Sequence, residues 1–169
     1  MSLAVTTVQT PVAPWTVVVD EDGVVVASGF SGEADTVSRL TDDQRTGIRR
    51  VDDVGPVSEA MAAYLAGDVD ALDDVPVAQP GGPFNQQVWA AMRQIPAGET
   101  WSYAELATKA GRPSATRAAG TACARNLVAP FVPCHRVVRS DGSLGGYYYG
   151  LGVKEWLLGH ERGEQTLDA

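Results

Sequence analysis

The chain has 169 residues, 44% of them hydrophobic and 20% charged, which is enough for one good core or two small ones. No apolar run approaches the roughly 20 residues of a membrane-spanning helix. Residues 1–10 lack the basic region and apolar core of a signal peptide. We therefore expect a cytoplasmic protein with reduced cysteines and no membrane partner. Two cysteines and two histidines are too few for a convincing zinc set, so we expect no metal. We also expect no cofactor.

The net charge of −8 hides a difference between the two halves of the chain. Residues 1–83 carry four basic and fourteen acidic side chains, a balance of −10. Residues 84–169 carry nine basic and seven acidic ones, a balance of +2. A polyanion would be repelled by the first half but not by the second. The charge pattern thus leaves the second half free to face a nucleic acid.

The first half begins with the pattern of a β-hairpin. Two β-branched runs, 17–19 and 24–26, flank a turn that ends in Asp22-Gly23. The polar segment that follows is ambiguous, and one more strand is predicted near 48–51.

A short helix and a domain boundary are predicted next. Ser58 is the expected N-cap of a helix that ends at Gly67. The Pro- and Gly-rich run 78–83 disfavours both helix and strand, so we place a boundary there. The predicted domains are an N-terminal one over 1–80 and a C-terminal one over 84–169.

Three short helices are predicted in the second half. The first, over 84–94, repeats apolar residues at spacings of three and four. Ser102 caps the second helix, with Glu105 three positions on as the partner in a capping box. After a turn that contains Gly111, Ser114 is the expected cap of the third helix.

The second and third helices fit either a helix-turn-helix or an ordinary helical hairpin, and the pattern alone favours the hairpin. The third helix is rich in Ala and Gly, and Arg117 is the long side chain among these small residues. The small side chains would allow this helix to approach the groove of a partner closely.

The segment 133–137 places the thiol of Cys134 next to the imidazole of His135. A cysteine is nucleophilic as thiolate, so a neighbouring base or cation changes its reactivity by orders of magnitude. Neighbours in sequence need not be in contact, and the pair alone fits a reactive and an inert thiol about equally. A Cys–His hydrolase is one interpretation, but the sequence offers no sign of an oxyanion hole.

Four motifs follow in order between Phe84 and Glu161, at spacings that need no insertion or deletion to match a known family. They are FNQQVW with IPAGET (84–89 and 95–100), SYAELA (102–107), Asn126 with VPCHRVV and Gly142 (132–138), and GLGVKEWLL with His160-Glu161 (150–158). Together they resemble the O6-alkylguanine-DNA alkyltransferase family of suicide DNA-repair proteins. The first half resembles this family only loosely.

The resemblance implies an α+β fold. A small N-terminal α/β domain (an antiparallel sheet plus helix, ribonuclease H-like) would precede a mainly helical C-terminal domain with a winged-helix-like helix-turn-helix. The expected substrate is double-stranded DNA containing O6-alkylguanine, mainly O6-methylguanine, with O4-methylthymine as a further candidate. The base would be flipped out and its alkyl group moved irreversibly to a cysteine, once per molecule. We expect a monomer, with cooperative DNA binding left open.

An alternative is a related group of non-catalytic proteins that flip alkylated bases and recruit other repair factors. That group lacks the reactive cysteine, whereas Cys134 is present in this chain.

The resemblance also implies five catalytic residues. Cys134 would be the nucleophile, His135 the base that takes its proton through a bridging water, and Glu161 the carboxylate that orients the imidazole. Asn126 would hold the turn before the nucleophile. The Tyr103 hydroxyl would reach N3 of the flipped base and make guanine a better leaving group.

Further residues are implied to contact the substrate or DNA. Arg117 would fill the place of the flipped nucleotide, the carbonyls of Cys134 and Val137 would recognise the exocyclic amine, and Lys154 lies near the site. Tyr147, Tyr148 and Tyr149 occupy the loop over the pocket, the last two at positions that are often small in the family. Reduced acceptance of large adducts such as benzyl is therefore predicted. The remaining expected contacts are Ser114, Ala115, Thr116 and Thr121.

Some roles have competing explanations. Tyr103 also fits a half-buried core aromatic, and Arg117 a plain phosphate contact. Arg136 and Arg139 either lower the pKa of the thiol or pair with the acidic first half, and we favour the second. Cys123 is expected to be a packed, small apolar residue.

Overall fold

The computed structural model describes residues 2–164, which divide into two compact units. The first unit contains the residues up to Gln79 together with Leu127–Phe131. The second contains Pro80–Asn126 and the residues from Val132 onward. The end of the predicted C-terminal domain, 165–169, lies outside the described residues. Within 2–164, no helix has the length and apolarity needed to cross a membrane.

The first unit is built on a four-stranded mixed sheet. Its elements in chain order are β1 (Leu3–Gln9), β2 (Pro14–Asp20), β3 (Val25–Gly29), α1 (Glu33–Ser38), α2 (Asp42–Thr46), β4 (Ile48–Arg50) and α3 (Pro56–Leu65). The strand order is β3-β2-β1-β4, antiparallel except for β4, which runs parallel to β1. The predicted hairpin is confirmed as β2 and β3, and the predicted later strand as β4. The expectation of a purely antiparallel sheet is wrong.

The hairpin turn shows why its sequence folds locally. The carboxylate of Asp20 accepts hydrogen bonds from the backbone N–H groups of Asp22 (2.9 Å) and Val24 (3.0 Å). Gly23 has φ +79°, a conformation that costs glycine little. The turn residues and the β-branched residues of the flanking strands therefore both favour a hairpin in this segment.

An aromatic cluster forms part of the core of this unit. The buried ring of Trp15 lies 5.3 Å from the ring of Phe30 and 5.9 Å from those of Tyr64 and Phe131. Its indole N–H donates to the Ser28 hydroxyl at 3.0 Å. Phe131 helps to explain why a segment so distant in sequence belongs to the first unit.

The predicted cap at Ser58 is wrong. Helix α3 begins at Pro56, after Gly55, and has no side-chain cap. The Ser58 hydroxyl instead accepts a hydrogen bond from the Val54 N–H at 2.9 Å. Proline suits the first helical turn, because the N–H that it lacks would have no partner within the helix.

The second unit is mainly helical. Its elements are α4 (Pro83–Met92), β5 (Trp101–Ser102), α5 (Tyr103–Lys109), α6 (Thr116–Ala124), a 3-10 turn (Cys134–Arg136), β6 (Val137–Val138) and α7 (Leu151–Glu161). Strands β5 and β6 pair in parallel, with Trp101 opposite Val137. This pairing joins the segment before α5 to the strand that directly follows the 3-10 turn.

The predicted capping box of α5 is confirmed. The Ser102 hydroxyl accepts from the Glu105 N–H at 3.0 Å, and the Glu105 carboxylate accepts from the Ser102 N–H at 3.0 Å. The predicted cap at Ser114 is wrong, because α6 begins at Thr116 without a side-chain cap. The Ala115 N–H closes a turn onto the Arg112 carbonyl at 2.9 Å, which leaves Ser114 inside the turn.

Candidate active site

Cys134 opens the 3-10 turn of the second unit. Its N–H donates to the Val132 carbonyl at 2.9 Å, and the Arg136 N–H donates to the Pro133 carbonyl at 3.0 Å. The Cys134 side chain is partly exposed in the wall of a cavity of about 340 Å³. The other lining residues are Tyr103, Gly120, Cys123, Ala124, Asn126, Gly146, Tyr147, Tyr148 and Tyr149. The cavity thus brings the predicted nucleophile together with Tyr103, Asn126 and the three loop tyrosines.

The buried side chain of Asn126 joins the end of α6 to the nucleophile. Its amide nitrogen Nδ2 donates to the Val132 carbonyl at 2.8 Å and to the Cys134 Sγ at 3.3 Å. The sequence predicts only the role of holding the turn, and the contact with sulfur is additional. A hydrogen-bond donor at sulfur favours the thiolate over the thiol.

His135 and Glu161 form a pair without solvent access. Nε2 of His135 lies 2.8 Å from Oε2 of Glu161. Burial would raise the pKa of the Glu161 carboxyl, but the hydrogen bonds of His135 and Arg136 and the charge of Arg136 outweigh it and hold this pKa well below its usual range. An ionised carboxylate only accepts hydrogen bonds. Nε2 of His135 is therefore the protonated nitrogen that donates to Glu161.

The other ring nitrogen of His135 is the candidate base. Among the described residues, Nδ1 has no protein hydrogen-bond partner, so its lone pair can take a proton. Burial lowers the pKa of His135, and Glu161 opposes this without overcoming it. The imidazole is therefore neutral at physiological pH, as a proton acceptor must be.

Arg136 points into the same buried network. Its Nε donates to Oε1 of Glu161 at 2.9 Å and its second terminal nitrogen to Oε2 at 3.0 Å. The first terminal nitrogen donates to the Ile95 carbonyl at 2.7 Å. The prediction that Arg136 pairs with the acidic first half is wrong, since its carboxylate partner is Glu161. Arg139, in contrast, is exposed.

Tyr103 is the first residue of α5 and lies against two glycines. A Cβ at Gly120 would lie 3.8 Å from the Tyr103 ring, and one at Gly145 would lie 3.1 Å from the Tyr103 hydroxyl. Burial raises the pKa of Tyr103 above its usual range. The hydroxyl thus stays protonated at the edge of the cavity, where it can donate a proton or a hydrogen bond.

Lys154 on α7 is fully buried. Its ammonium donates to the carbonyls of Val137 (2.8 Å) and Gly146 (3.2 Å), and also to that of Leu144. These bonds tie β6 to the loop that lines the cavity. An enclosed ammonium cannot reach DNA, so the geometry favours a structural role over the predicted contact. The Val137 carbonyl keeps a second lone pair for a ligand.

The three loop tyrosines pack edge to face. The Tyr149 ring lies 5.6 Å from that of Tyr147 and 4.8 Å from that of Tyr148. Tyr148 is 58% exposed, whereas the other two are partly buried. Tyr149 therefore has a ring on either side of it in the cavity wall.

An open groove shares Tyr103 and Gly120 with the cavity. Its other lining residues are Ser114, Thr116 and Arg117. Arg117 and Thr121 are exposed on α6, and the Thr121 hydroxyl donates to the Arg117 carbonyl at 3.2 Å. Ala115, the remaining predicted contact, is the residue that precedes α6. The predicted DNA contacts thus lie along the outer side of α6 and the turn before it.

Cys123 lines the cavity but differs from Cys134. Its thiol lies 3.8 Å from the sulfur of Met92, and burial raises the pKa of Cys123 far above its usual range. It therefore remains a thiol, as expected of a packed apolar residue, and no disulfide joins it to Cys134.

The fold and the site together define a class of protein: one with a cysteine and a buried histidine–carboxylate pair at a cavity beside an exposed helix. Residues 83–163 match the family model described as 6-O-methylguanine DNA methyltransferase, DNA binding domain. The chain is 39% identical over 158 residues to the methylated-DNA–protein-cysteine methyltransferase of Salmonella typhimurium, covering 91% of this chain and 92% of that protein. The corresponding protein of Methanosarcina acetivorans is 35% identical over 150 residues, covering 89% and 92%.

A solved structure agrees with these relatives. The crystal structure of Mycobacterium tuberculosis OGT in complex with DNA superposes with a TM-score of 0.79 at 33% identity, covering 98% of this chain and 96% of that one. The chain therefore belongs to the methylated-DNA–protein-cysteine methyltransferase family.

Proposed function

We propose that this protein repairs DNA by moving the alkyl group of O6-alkylguanine, mainly methyl, to Cys134 in one irreversible turnover. The observation that carries the proposal is the partly exposed Cys134 thiol in a cavity wall, bonded to Asn126 and followed by the buried His135–Glu161 pair. A thioether is a stable product, so the cysteine is not regenerated. The protein is thus a single-turnover methyltransferase.

The site residues suggest how the transfer proceeds. The Cys134 proton passes through a bridging water to Nδ1 of His135, and Glu161 stabilises the imidazolium that results. Sγ then forms a bond to the alkyl carbon while the carbon–O6 bond breaks and its electron pair stays on guanine. Tyr103 donates its hydroxyl proton to N3 of that guanine, and the proton on His135 can later restore the phenol. No proton is gained or lost overall.

The alkyl carbon cannot be reached inside a base stack, so the nucleotide must leave the duplex first, at a cost of a few kcal/mol. Helices α5 and α6 suit a winged-helix-like helix-turn-helix whose outer side meets DNA. The small residues of α6 allow close approach, and Arg117 is the long exposed side chain that would fill the gap in the stack. The hydroxyls of Ser114 and Thr116 would donate to phosphates, and that of Thr121 would do so on exchanging its bond to the Arg117 carbonyl.

Several further properties are part of the same proposal. The first unit would be a ribonuclease H-like structural domain, and the protein a cytoplasmic monomer that works without metal or cofactor. The balance of +2 in residues 84–169 suits contact of the second unit with a polyanion.

Mass spectrometry tests the function directly. After incubation with duplex DNA that carries O6-methylguanine, the protein should gain about +14 Da on Cys134, once per molecule. An unmodified protein that still binds the lesion would indicate a non-catalytic base-flipping protein instead. Repeated turnover of an ester or amide substrate would indicate a hydrolase.

Arg117→Ala should weaken base extrusion. We expect the rate of methyl transfer from duplex DNA to fall about tenfold, because base flipping costs a few kcal/mol and the inserted side chain would no longer offset part of that cost. Transfer from the free base O6-methylguanine should not change, because no extrusion is needed there. A fluorescent base analogue next to the lesion would report the extrusion step.

Arg125→Ala is the matched control, because Arg125 is also exposed but directly follows α6 and lines neither groove nor cavity. Affinity of both variants for DNA should fall with salt through counterion release. If Arg117→Ala weakened only DNA affinity, and made that affinity less dependent on salt concentration, Arg117 would be a phosphate contact.

Tyr149→Ala should widen the range of adducts. The Tyr149 ring occupies the cavity wall between Tyr147 and Tyr148, so its removal makes room for a group larger than methyl. We expect the ratio of the inactivation rates by O6-benzylguanine and O6-methylguanine to rise about tenfold, a typical effect of pocket size. Tyr148→Ala, at the most exposed of the three rings, is the control. An unchanged ratio in Tyr149→Ala would show that this ring does not limit the pocket.

A further inference from the structure

The Arg136 guanidinium has no role in the reaction proposed above, yet it is one of the most enclosed charges of the second unit, with 3% of its surface exposed. Its fork of two parallel N–H groups binds both oxygens of Glu161, and a third nitrogen binds the Ile95 carbonyl. A buried ion pair of this kind is costly unless its geometry is good, and bidentate contacts supply such geometry. The fork leaves the carboxylate little freedom to rotate.

The same carboxylate oxygen serves two partners. Oε2 of Glu161 accepts from Nε2 of His135 at 2.8 Å and from Arg136 at 3.0 Å. A fixed carboxylate determines which imidazole nitrogen is protonated, because it can accept only from an N–H. With Nε2–H facing Glu161, the lone pair lies on Nδ1.

Arg136 also affects the charge of His135. The charged groups that act on this ring are Glu161 and Lys154 on α7 and Arg136 on its own 3-10 turn. Glu161 favours the imidazolium, whereas both cations disfavour it. Burial is the main cause of the lowered pKa of His135, and Arg136 adds to it by offsetting the charge of Glu161.

We propose that Arg136 is a positioning residue for alkyl transfer: its guanidinium holds the Glu161 carboxylate in the orientation and charge state that leave Nδ1 of a neutral His135 as the proton acceptor. The proposal rests on the function proposed above, in which His135 takes the Cys134 proton.

The pH dependence of single-turnover methyl transfer tests this role. Transfer requires a neutral His135, so the rate should fall at acidic pH as this imidazole becomes protonated. In Arg136→Gln the Glu161 charge is no longer offset, so the imidazole of His135 should be protonated more readily. The acidic limb of the pH–rate profile should then move up by about one pH unit or more. At a pH within the shifted limb the rate should fall about tenfold relative to its own plateau. Arg136→Lys, which keeps the charge but not the fork, should shift the limb less.

Arg139→Gln is the matched control, since it removes the same charge from an exposed residue that is not among the groups acting on His135. Its acidic limb should stay in place. An Arg136→Gln variant whose rate falls equally at every pH, with the limb unmoved, would mean that Arg136 only supports the fold and would overturn the proposal.

Nitrogen NMR of the wild-type protein provides an arm that uses no DNA. The chain has two histidines, so His160→Gln assigns the His135 signals. We expect the Nε2–H tautomer, neutral down to a pH below 6.5, and a return towards ordinary titration in Arg136→Gln. An Nδ1–H tautomer, or wild-type titration near 6.5, would refute the proposal. The wild-type spectrum can refute the proposal even if Arg136→Gln does not fold or if the protein takes up no alkyl group.

Discussion

Cys134→Ala should lose alkyl transfer completely, while its affinity for methylated duplex DNA stays within about twofold of wild type. The alkyl carbon needs a soft nucleophile that forms a stable bond, and an alanine methyl group cannot supply one. The DNA contacts proposed for α6 do not include the sulfur. The measurements are the mass of the protein after incubation with O6-methylguanine DNA, the loss of labelled methyl from that DNA, and a binding titration.

Cys123→Ala is the matched control, because both sulfurs line the same cavity. Burial keeps Cys123 protonated, whereas Cys134 is bonded to the Asn126 amide. Cys123→Ala should therefore transfer methyl with little change in rate. If transfer persisted in Cys134→Ala, or disappeared only in Cys123→Ala, Cys134 would not be the nucleophile.

Local signals explain which elements could be predicted from the sequence. The Asp-Gly turn of the first hairpin and the Ser102–Glu105 capping box each depend on residues within a few positions of one another. Helix α2 carries a signal of the same kind, Thr41 with Gln44 three positions on, and the structure shows this capping box. The polar segment could therefore have been recognised as helical at that point.

Strand β1 and helix α1 lack such signals. Thr6 and Thr7 interrupt the apolar alternation of β1, although Thr6 is buried in the sheet. Helix α1 spans six residues and has no side-chain cap, so its stability comes from packing on the sheet. Leu127–Phe131 likewise belongs to the first unit because of contacts with residues distant in sequence, such as Trp15 and Ser28.

The residues of the candidate site likewise include some that could be predicted from local sequence and some that could not. Cys134 and His135 are adjacent, and the motifs around them identify the family, so the nucleophile and the base could be proposed from sequence. The partners of Arg136 could not, because Glu161 lies 25 residues away and Ile95 lies 41 residues away. The Lys154 contacts to three backbone carbonyls leave no trace in side-chain patterns either. Networks that involve main-chain acceptors become visible only once the chain is folded.

Tyr103→Phe should slow methyl transfer about 100-fold without weakening DNA binding. Phenylalanine keeps the ring that packs against Gly120 and Gly145 and removes only the hydroxyl. Without that donor the departing guanine carries more negative charge in the transition state, and losing a general acid typically costs a factor of about 10² to 10⁴. Single-turnover rates on O6-methylguanine DNA measure the effect.

Tyr148→Phe is the control, since it removes a hydroxyl from the exposed ring at the same cavity and should leave the rate nearly unchanged. Burial raises the pKa of Tyr103, which keeps its proton in place at and above neutral pH, so the Tyr103→Phe deficit should be constant from about pH 7 to 9. A deficit that vanished with a better leaving group, such as a guanine with an electron-withdrawing substituent, would support proton donation to the base. An equal deficit for every leaving group would instead mean that the hydroxyl only holds the loop at Gly145.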